Sequence, residues 1–322
     1  MAQLIVESLE EYGLSKKSRP KTLFSKVGII GCGSVGQSIA RMISTYGIEV
    51  VFVELSDAKI ENAYTEISKE LDTMIEHWGM TPSEKRAILS RIKGYVGYEN
   101  LNGCDLVIES IRSSTREKRV ECRKEVFRNI EKYVDRNCII ATNSTTIVIT
   151  ELSSELNYKD RCVSLHFHTT APGSRMVEIV RGLYTSDESY ERIKTFVNMI
   201  SKIMIPVEES PGLISVRLFV ALVNEACEVL MEGVATKEDI DSTMKMGMGL
   251  ALGPFEMADK IGLDKVVRWM DNLYYEFGDQ KYKASPVIKK LVRANQLGRT
   301  NMKGFYEYDE YGRKLNNIPK YE

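Results

Sequence analysis

From Lys26 onward, short apolar runs alternate with stretches whose apolar positions recur at helical spacing. KVGII, IEVVFVE, CDLVIES and NCIIATN are near-continuous apolar runs of strand length, and GYVGY is a shorter one. Between them the spacing predicts a helix after GCGSVG, then helices from Lys59 to His77, from Ser83 to Lys93 and from about Arg116 to Val134. CVSLHFH and RMVEIV add two strands, and a further helix is expected from Glu188 to Ile203. Apolar strands separated by helices predict an α/β fold with a parallel, doubly wound sheet. Near Pro206 the texture changes. VEESPG is a polar break in which Ser210 can cap a helix and Pro211 can occupy its first turn. Everything beyond reads helical: Leu213 to Met231, Lys237 to Met246, Lys265 to Phe277 and Pro286 to Gln296. The expected organisation is an N-terminal helical extension over 1–22, an α/β domain over 23–207 and an all-helical domain over 208–322. The extension rests on Leu4, Ile5, Leu9 and Tyr12, which share one helix face.

Charge and composition narrow the function classes. The 322 residues carry 44 basic and 45 acidic side chains, a net charge of −1. That balance points away from a nucleic-acid surface or a polybasic membrane patch. No apolar run approaches the roughly 18 residues a membrane span needs, and the N-terminus lacks the layout of a secretory signal. Six scattered cysteines without a CxxC pair read as buried thiols in a reducing compartment. A soluble, cytoplasmic protein is expected.

The sequence Gly31-Cys32-Gly33-Ser34-Val35-Gly36 is a GxGxxG that follows a strand and opens a helix. In that context Gly31 can make a tight turn, Gly33 can admit a pyrophosphate, and Gly36 can let helix and strand pack closely. Phosphates would sit on the helix N-terminus, where free N–H groups and the dipole favour anions. Glu54 ends the second strand, where an acid can grip ribose hydroxyls, and its charge repels a 2′-phosphate. The expectation is a Rossmann-type domain binding NAD rather than NADP.

Two of the three histidines lie in SLHFHTTAPGSRMVEIV. If its two strands form a hairpin turning on Pro172, paired positions sum to 344 and His166 faces Glu178. A carboxylate on one imidazole nitrogen fixes the tautomer and leaves the other nitrogen to exchange a proton. Two alternatives stay open at this point. His166 and His168 alternate onto one face, so with Glu178 they match a two-histidine, one-carboxylate metal set. They can also be structural histidines. The acid/base pair is preferred because a nucleotide loop already occupies the domain.

GCGSVG, CDLVIES, ATNST, LHF followed by VEIV, SPGLISVRL, LGPFEMADKIGLD and GFYEY appear in that order from about Ser25 to Tyr308. In this the chain resembles the short-chain L-3-hydroxyacyl-CoA dehydrogenases, including the 3-hydroxybutyryl-CoA dehydrogenases. The resemblance implies a Rossmann-type domain followed by a helical domain that closes over the substrate and forms a homodimer. It implies hydride transfer between NAD and C3 of the substrate, with His166 and Glu178 handling the hydroxyl proton. It also implies that Thr145 bonds the reacting oxygen, that Lys118 contacts the cofactor ribose, and that Ser113, Asn143 and Thr169 line the cofactor site. The departures fall outside the His166–Glu178 pair and the glycine loop. Thr145 replaces a serine, Thr169 an asparagine, Ser113 a glutamate, Val216 an asparagine before Arg217, and Met302 a glycine. Relatives carry lysines for the CoA phosphates on the helix after the second strand. Here that helix holds Glu61, Glu66, Glu70, Asp72 and Glu76 beside Lys69, and the plainer reading is a solvated face. Met244, Met246 and Met248 read as packing or pocket lining, and Trp269, Tyr274 and Tyr275 as core or interface. The expected partner is a small acyl-CoA or 3-hydroxy acid substrate. The alternatives are a dehydrogenase of a non-CoA 3-hydroxy acid and a non-catalytic NAD-binding protein on the same fold.

Overall fold

The computed structural model describes residues 24–112, 116–168 and 174–315, without the side chains of 116–119. The extension expected over 1–22 lies outside these residues, as do Ser113, Thr169 and the Lys118 side chain.

The apolar runs form strands β1 (Lys26–Ile30), β2 (Glu49–Val53), β4 (Leu106–Glu109), β5 (Ile139–Thr142), β6 (Cys162–Phe167) and β7 (Met176–Arg181); β3 (Ile92–Tyr95) takes only Gly94 and Tyr95 from the expected GYVGY run, and β8 (Ile203–Glu208) is not among the expected strands. They make one sheet in the order β3-β2-β1-β4-β5-β6-β7-β8. Pairing is parallel from β3 across to β6, and β7 returns antiparallel to β6. The helices of this unit are α1 (Ser34–Thr45), α2 (Asp57–Glu76), α3 (Pro82–Ser90), α4 (Arg116–Tyr133), α5 (Ile149–Ser153) and α6 (Asp187–Met199). Strand order reverses at β1, the point where open α/β sheets place ligands at the carboxyl ends of strands. One core holds the sheet to its helices, with Ile29, Phe52, Ile108, Leu165 and Phe196 fully buried.

Two helices end early, each ahead of a strand. The helix expected to reach Lys93 ends at Ser90, and Ile92 begins β3. The helix expected to reach Ile203 ends at Met199, and residues 203–208 are β8. Val207 and Glu208, read as the start of a polar break, are therefore strand. Every residue of β8 is exposed or half-buried, so it lacks the continuous apolar text of the central strands. Pro206 fits there because β8 is the edge strand, where a missing N–H can leave no ladder bond unmade.

The described chain divides into two compact units. One holds 24–144, 149–168 and 174–206; the other holds 145–148 and 207–315. The second is helical: α7 (Ser215–Met231), α8 (Lys237–Met248), α9 (Pro254–Ile261), α10 (Leu263–Phe277) and α11 (Pro286–Arg293). Its core includes Val220, Phe255, Val266, Met270 and Leu273. Two buried aspartates tie the segments GPFEMADKIG and GFYEY to α8 and to each other. Gly253 offers no side chain to cap α9, and Asp241 on α8 accepts the N–H groups of Phe255 (2.9 Å) and Glu256 (3.0 Å) instead. Asp259 accepts from the N–H groups of Phe305 and Tyr306 and from the Tyr308 hydroxyl, each at 2.9 Å. Burial pushes the Asp259 carboxyl up to about 6 even with these donors aimed at it. No helix among the described residues is long and apolar enough to cross a membrane.

Asp259→Ala would strand three buried donors. With each unsatisfied donor costing about 1–3 kcal/mol, the helical unit should lose about 3 kcal/mol or more, and Tyr308→Phe about 1 kcal/mol. Urea unfolding followed by circular dichroism reads both. A smaller loss for Asp259→Ala than for Tyr308→Phe would refute this role.

Candidate active site

The glycine loop follows β1 directly. Gly31 has φ +85°, and its α carbon faces Ile111, whose Cα lies 3.0 Å from where a Cβ would stand. Gly33 opens onto space: nothing lies within 4 Å of its would-be Cβ. A Cβ on Gly36 would overlap the Gly31 carbonyl oxygen. Gly33 is the N-cap of α1 and no side chain caps the helix, so its first N–H groups face the open side. Glu54 shapes the loop by accepting the Cys32 N–H at 2.6 Å and the Leu55 N–H at 3.2 Å. A carboxylate has about four acceptor sites, which leaves capacity for ribose hydroxyls. Burial and the Glu54 charge push the Cys32 thiol up to about 12, so it is a neutral neighbour and not a nucleophile. An open glycine, uncapped helix amides and an acid at the end of β2 fit a dinucleotide.

A buried acid, Glu109, supports the adjacent turn. It ends β4 and is fully buried. Its Oε1 accepts the Ile111 N–H at 2.7 Å, and its Oε2 accepts the Thr142 hydroxyl (2.7 Å) and Arg123 Nε (3.1 Å). Arg123 Nη2 also donates to the Ile111 carbonyl at 2.7 Å. Ile111 is the residue against which Gly31 packs, so this clamp fixes one wall of the cofactor loop. It continues along β5. The Ser144 N–H donates to Thr142 Oγ1 at 3.0 Å, and Asn143 Oδ1 accepts the Phe167 N–H at 2.9 Å. Asn143, expected at the cofactor, is thus tied to the strand that carries His166.

β6 and β7 pair with His166 opposite Glu178, the register the spacing predicts. His166 Nδ1 lies 2.7 Å from Glu178 Oε2, with both side chains buried. With the carboxylate as acceptor, Nδ1 is the donor in that contact. His168 Nε2 reaches the same oxygen at 3.1 Å, and the two rings lie 4.4 Å apart between centroids. One carboxylate oxygen therefore serves two imidazoles. His168 is the more open of the two, with 19% of its side chain exposed against 8% for His166.

Thr145 is half-buried in the loop after β5, and its 145–148 stretch belongs to the helical unit. Its carbonyl accepts the Gly212 N–H at 2.6 Å, and the Thr146 hydroxyl accepts from Asn272 Nδ2 on α10 at 2.8 Å. Val216 is buried in the helical core. Met302 has φ +63°, a backbone that favours glycine. The structure thus gathers His166, His168 and Glu178 in one cluster, and Gly31–Gly36 with Glu54 in another. Sequence reasoning missed Glu109, Arg123 and Asn272. For Glu109 the signal was an acid closing the apolar run LVIE; Arg123 and Asn272 sit on helix faces that spacing does not distinguish.

Residues 26–210 match the family description "3-hydroxyacyl-CoA dehydrogenase, NAD binding domain", and residues 212–308 match "3-hydroxyacyl-CoA dehydrogenase, C-terminal domain". The chain is 34% identical to a 3-hydroxybutyryl-CoA dehydrogenase of Clostridioides difficile over 88% of this chain and 100% of that one. It is 33% identical to a protein of the same name from Bradyrhizobium diazoefficiens, over 89% and 96%. Among solved structures it superposes on an (S)-3-hydroxybutyryl-CoA dehydrogenase from Ralstonia eutropha with a TM-score of 0.79 at 36% identity, covering 89% of this chain and 100% of that one.

Gly36→Ala forces the α1 start away from Gly31. Overpacking of this kind costs about 1–3 kcal/mol, so NADH affinity should fall about tenfold or more. Quenching of NADH fluorescence reads the change, and unaltered affinity would refute the loop assignment.

Proposed function

This chain belongs to the 3-hydroxyacyl-CoA dehydrogenase family, and on that premise we propose that it interconverts (S)-3-hydroxyacyl-CoA thioesters, such as 3-hydroxybutyryl-CoA, with their 3-oxo forms. It is an NAD-dependent oxidoreductase acting on CH–OH. When bound, the nicotinamide supplies or accepts the hydride at substrate C3. The observation that carries the mechanism is the buried His166–Glu178 contact.

With Gly31 making the turn, its N–H on the Val53 carbonyl, and Gly36 packing against it, Gly33, Ser34 and Val35 would hold the pyrophosphate on backbone N–H groups, and Glu54 would take the ribose hydroxyls. Glu178 holds the His166 ring through Nδ1, so proton exchange with the substrate runs through Nε2. In the reduction direction His166 acts as imidazolium and delivers a proton to the oxygen formed at C3. In oxidation it takes that proton back as a base. Glu178 stabilises the ring's positive charge at either stage without leaving its place. Thr145 donates its hydroxyl to the same oxygen, its backbone anchored by Gly212. By resemblance, Lys118, Ser113, Asn143 and Thr169 would serve the cofactor.

A second reading, the same chemistry on a free 3-oxo acid, draws on particular residues. Glu61, Glu66, Glu70, Asp72 and Glu76 are exposed along α2; Glu70 and Asp72 pair with Arg41 and Lys85, and the other three disfavour CoA phosphates there. Val216 offers no hydrogen bond to a substrate carbonyl.

The assembly is a homodimer through the helical unit, where Leu218 (69% exposed), Met246 (83%) and Met248 (70%) present apolar surface that a second copy would cover. Six free cysteines, five of them buried, suit the reducing cytoplasm.

His166→Gln should leave NADH binding nearly unchanged and cut turnover by at least ~10²-fold; full activity in that variant would sink the mechanism. A panel following NADH absorbance, with acetoacetyl-CoA against free 3-oxo acids, separates the two substrates. NADH binding with no turnover in the whole panel would leave a non-catalytic NAD-binding protein.

A further inference from the structure

We propose that His166, His168 and Glu178 form a binding site for a divalent transition-metal ion of the zinc, cobalt or nickel kind, and that an ion held there stops turnover. Each residue offers one donor atom, and the three atoms lie within 4.8 Å of one another. A tetrahedral set of nitrogen and oxygen donors at ordinary zinc bond lengths has its atoms about 3.4 Å apart. The His166–Glu178 and His168–Glu178 separations of 2.7 and 3.1 Å are already close to that. Rotation of the two rings and the carboxyl about their terminal bonds, which are soft torsions, brings the donors into range of one ion.

The scaffold favours such a site. His166 lies on β6, His168 directly follows that strand, and Glu178 lies on the paired strand β7. The first two share a face because they are two residues apart, and the strand ladder fixes the backbone. Two imidazoles and one carboxylate suit zinc, cobalt and nickel, whereas calcium and magnesium prefer oxygen sets. The ion would enter from the side of His168, the most exposed of the three. His168 is the residue that matters. His166 and Glu178 alone offer two donors, and the second histidine turns an acid/base pair into a chelate.

Binding balances simply. Each imidazole gives up the proton it shares with Glu178, a cationic ring losing it to solvent and a neutral ring taking a proton from solvent on its other nitrogen in exchange, so each ring binds the ion as neutral imidazole. The ion then occupies the Glu178 oxygen and His166 Nδ1, and it puts positive charge against the ring that must itself become cationic to deliver a proton. The loss of turnover rests on the acid/base reading of His166 and Glu178; the binding does not.

Metal-free protein is titrated with Co²⁺ while its visible absorption is recorded, and NADH turnover of acetoacetyl-CoA is measured with and without Zn²⁺. The expected result is one cobalt per chain and a fall in turnover of at least tenfold at saturating zinc, reversed by a chelator. His168→Gln, which lies outside the proton-handling pair, should weaken cobalt binding at least tenfold and remove the zinc effect. Circular dichroism checks that the variant is folded. His77 is the one remaining histidine, exposed at the end of α2 with its ring on the Thr73 carbonyl, and His77→Gln should change neither readout. Absent cobalt binding, or equal binding in His168→Gln, overturns the site. Cobalt held through His168 with turnover unimpeded overturns the inhibition and, separately, the acid/base role. A protein with no turnover at all leaves the cobalt arm to decide the site.

Discussion

His166 and Glu178 meet only because β6 and β7 pair in one register. The odd-numbered residues Val163, Leu165, Phe167, Val177 and Ile179 all point into the sheet's core cluster. The even-numbered Ser164, His166 and Glu178 therefore share the other face. A slip of one residue would set His166 opposite Val177 or Ile179 and drive the Glu178 carboxylate toward the core. It would also withdraw apolar side chains from burial worth about 1.5–3 kcal/mol each. The apolar face thus enforces the geometry of the polar one, and the pair needs no independent device to hold it together.

The same economy operates across the parallel strands. Ile30, Glu109 and Thr142 stand in register at the carboxyl ends of β1, β4 and β5. That row is where the chain turns into the glycine loop, the Ile111 turn and the Asn143 loop. A bare carboxylate there would be prohibitive to bury. Glu109 is tolerated because an arginine, a hydroxyl and a backbone N–H all donate to it. Those donors come from three separate segments, so the group that solves its own desolvation problem also fixes the spacing of the turns around it. Asn143 carries the tie onward to Phe167, the neighbour of His166.

What was legible in the sequence follows from this. Strands buried on both faces announce themselves as apolar runs, so β1, β2, β4 and β5 could be read directly, and the parity of two strands around Pro172 yielded the His166–Glu178 pairing. β8 could not be read this way. It lies at the sheet edge with alternating half-burial and a proline inside, and its text resembles a linker. Long-range polar partners were equally hidden. Asn272 meets Thr146 across 126 positions, and no local spacing marks an amide on one helix as the partner of a hydroxyl in a distant loop. His168 was visible as a residue but not as a contact. Only the fold shows that it shares one Glu178 oxygen with His166.

The residues that depart from the family pattern are supported differently from those that keep it. His166, Glu178 and the glycine loop sit on sheet register and backbone contacts, where a change disturbs many groups at once. Glu61, Glu66 and Glu76 on α2 are exposed, and substitutions at such positions usually shift stability by no more than about 0.5 kcal/mol. Val216 is an apolar side chain within an apolar core, where an asparagine would need buried hydrogen-bond partners. Nothing in folding therefore resists these replacements, whereas folding itself opposes loss of the pair. The pattern of intact and altered positions is what that asymmetry produces: the former are tied into sheet register and backbone contacts, the latter are not.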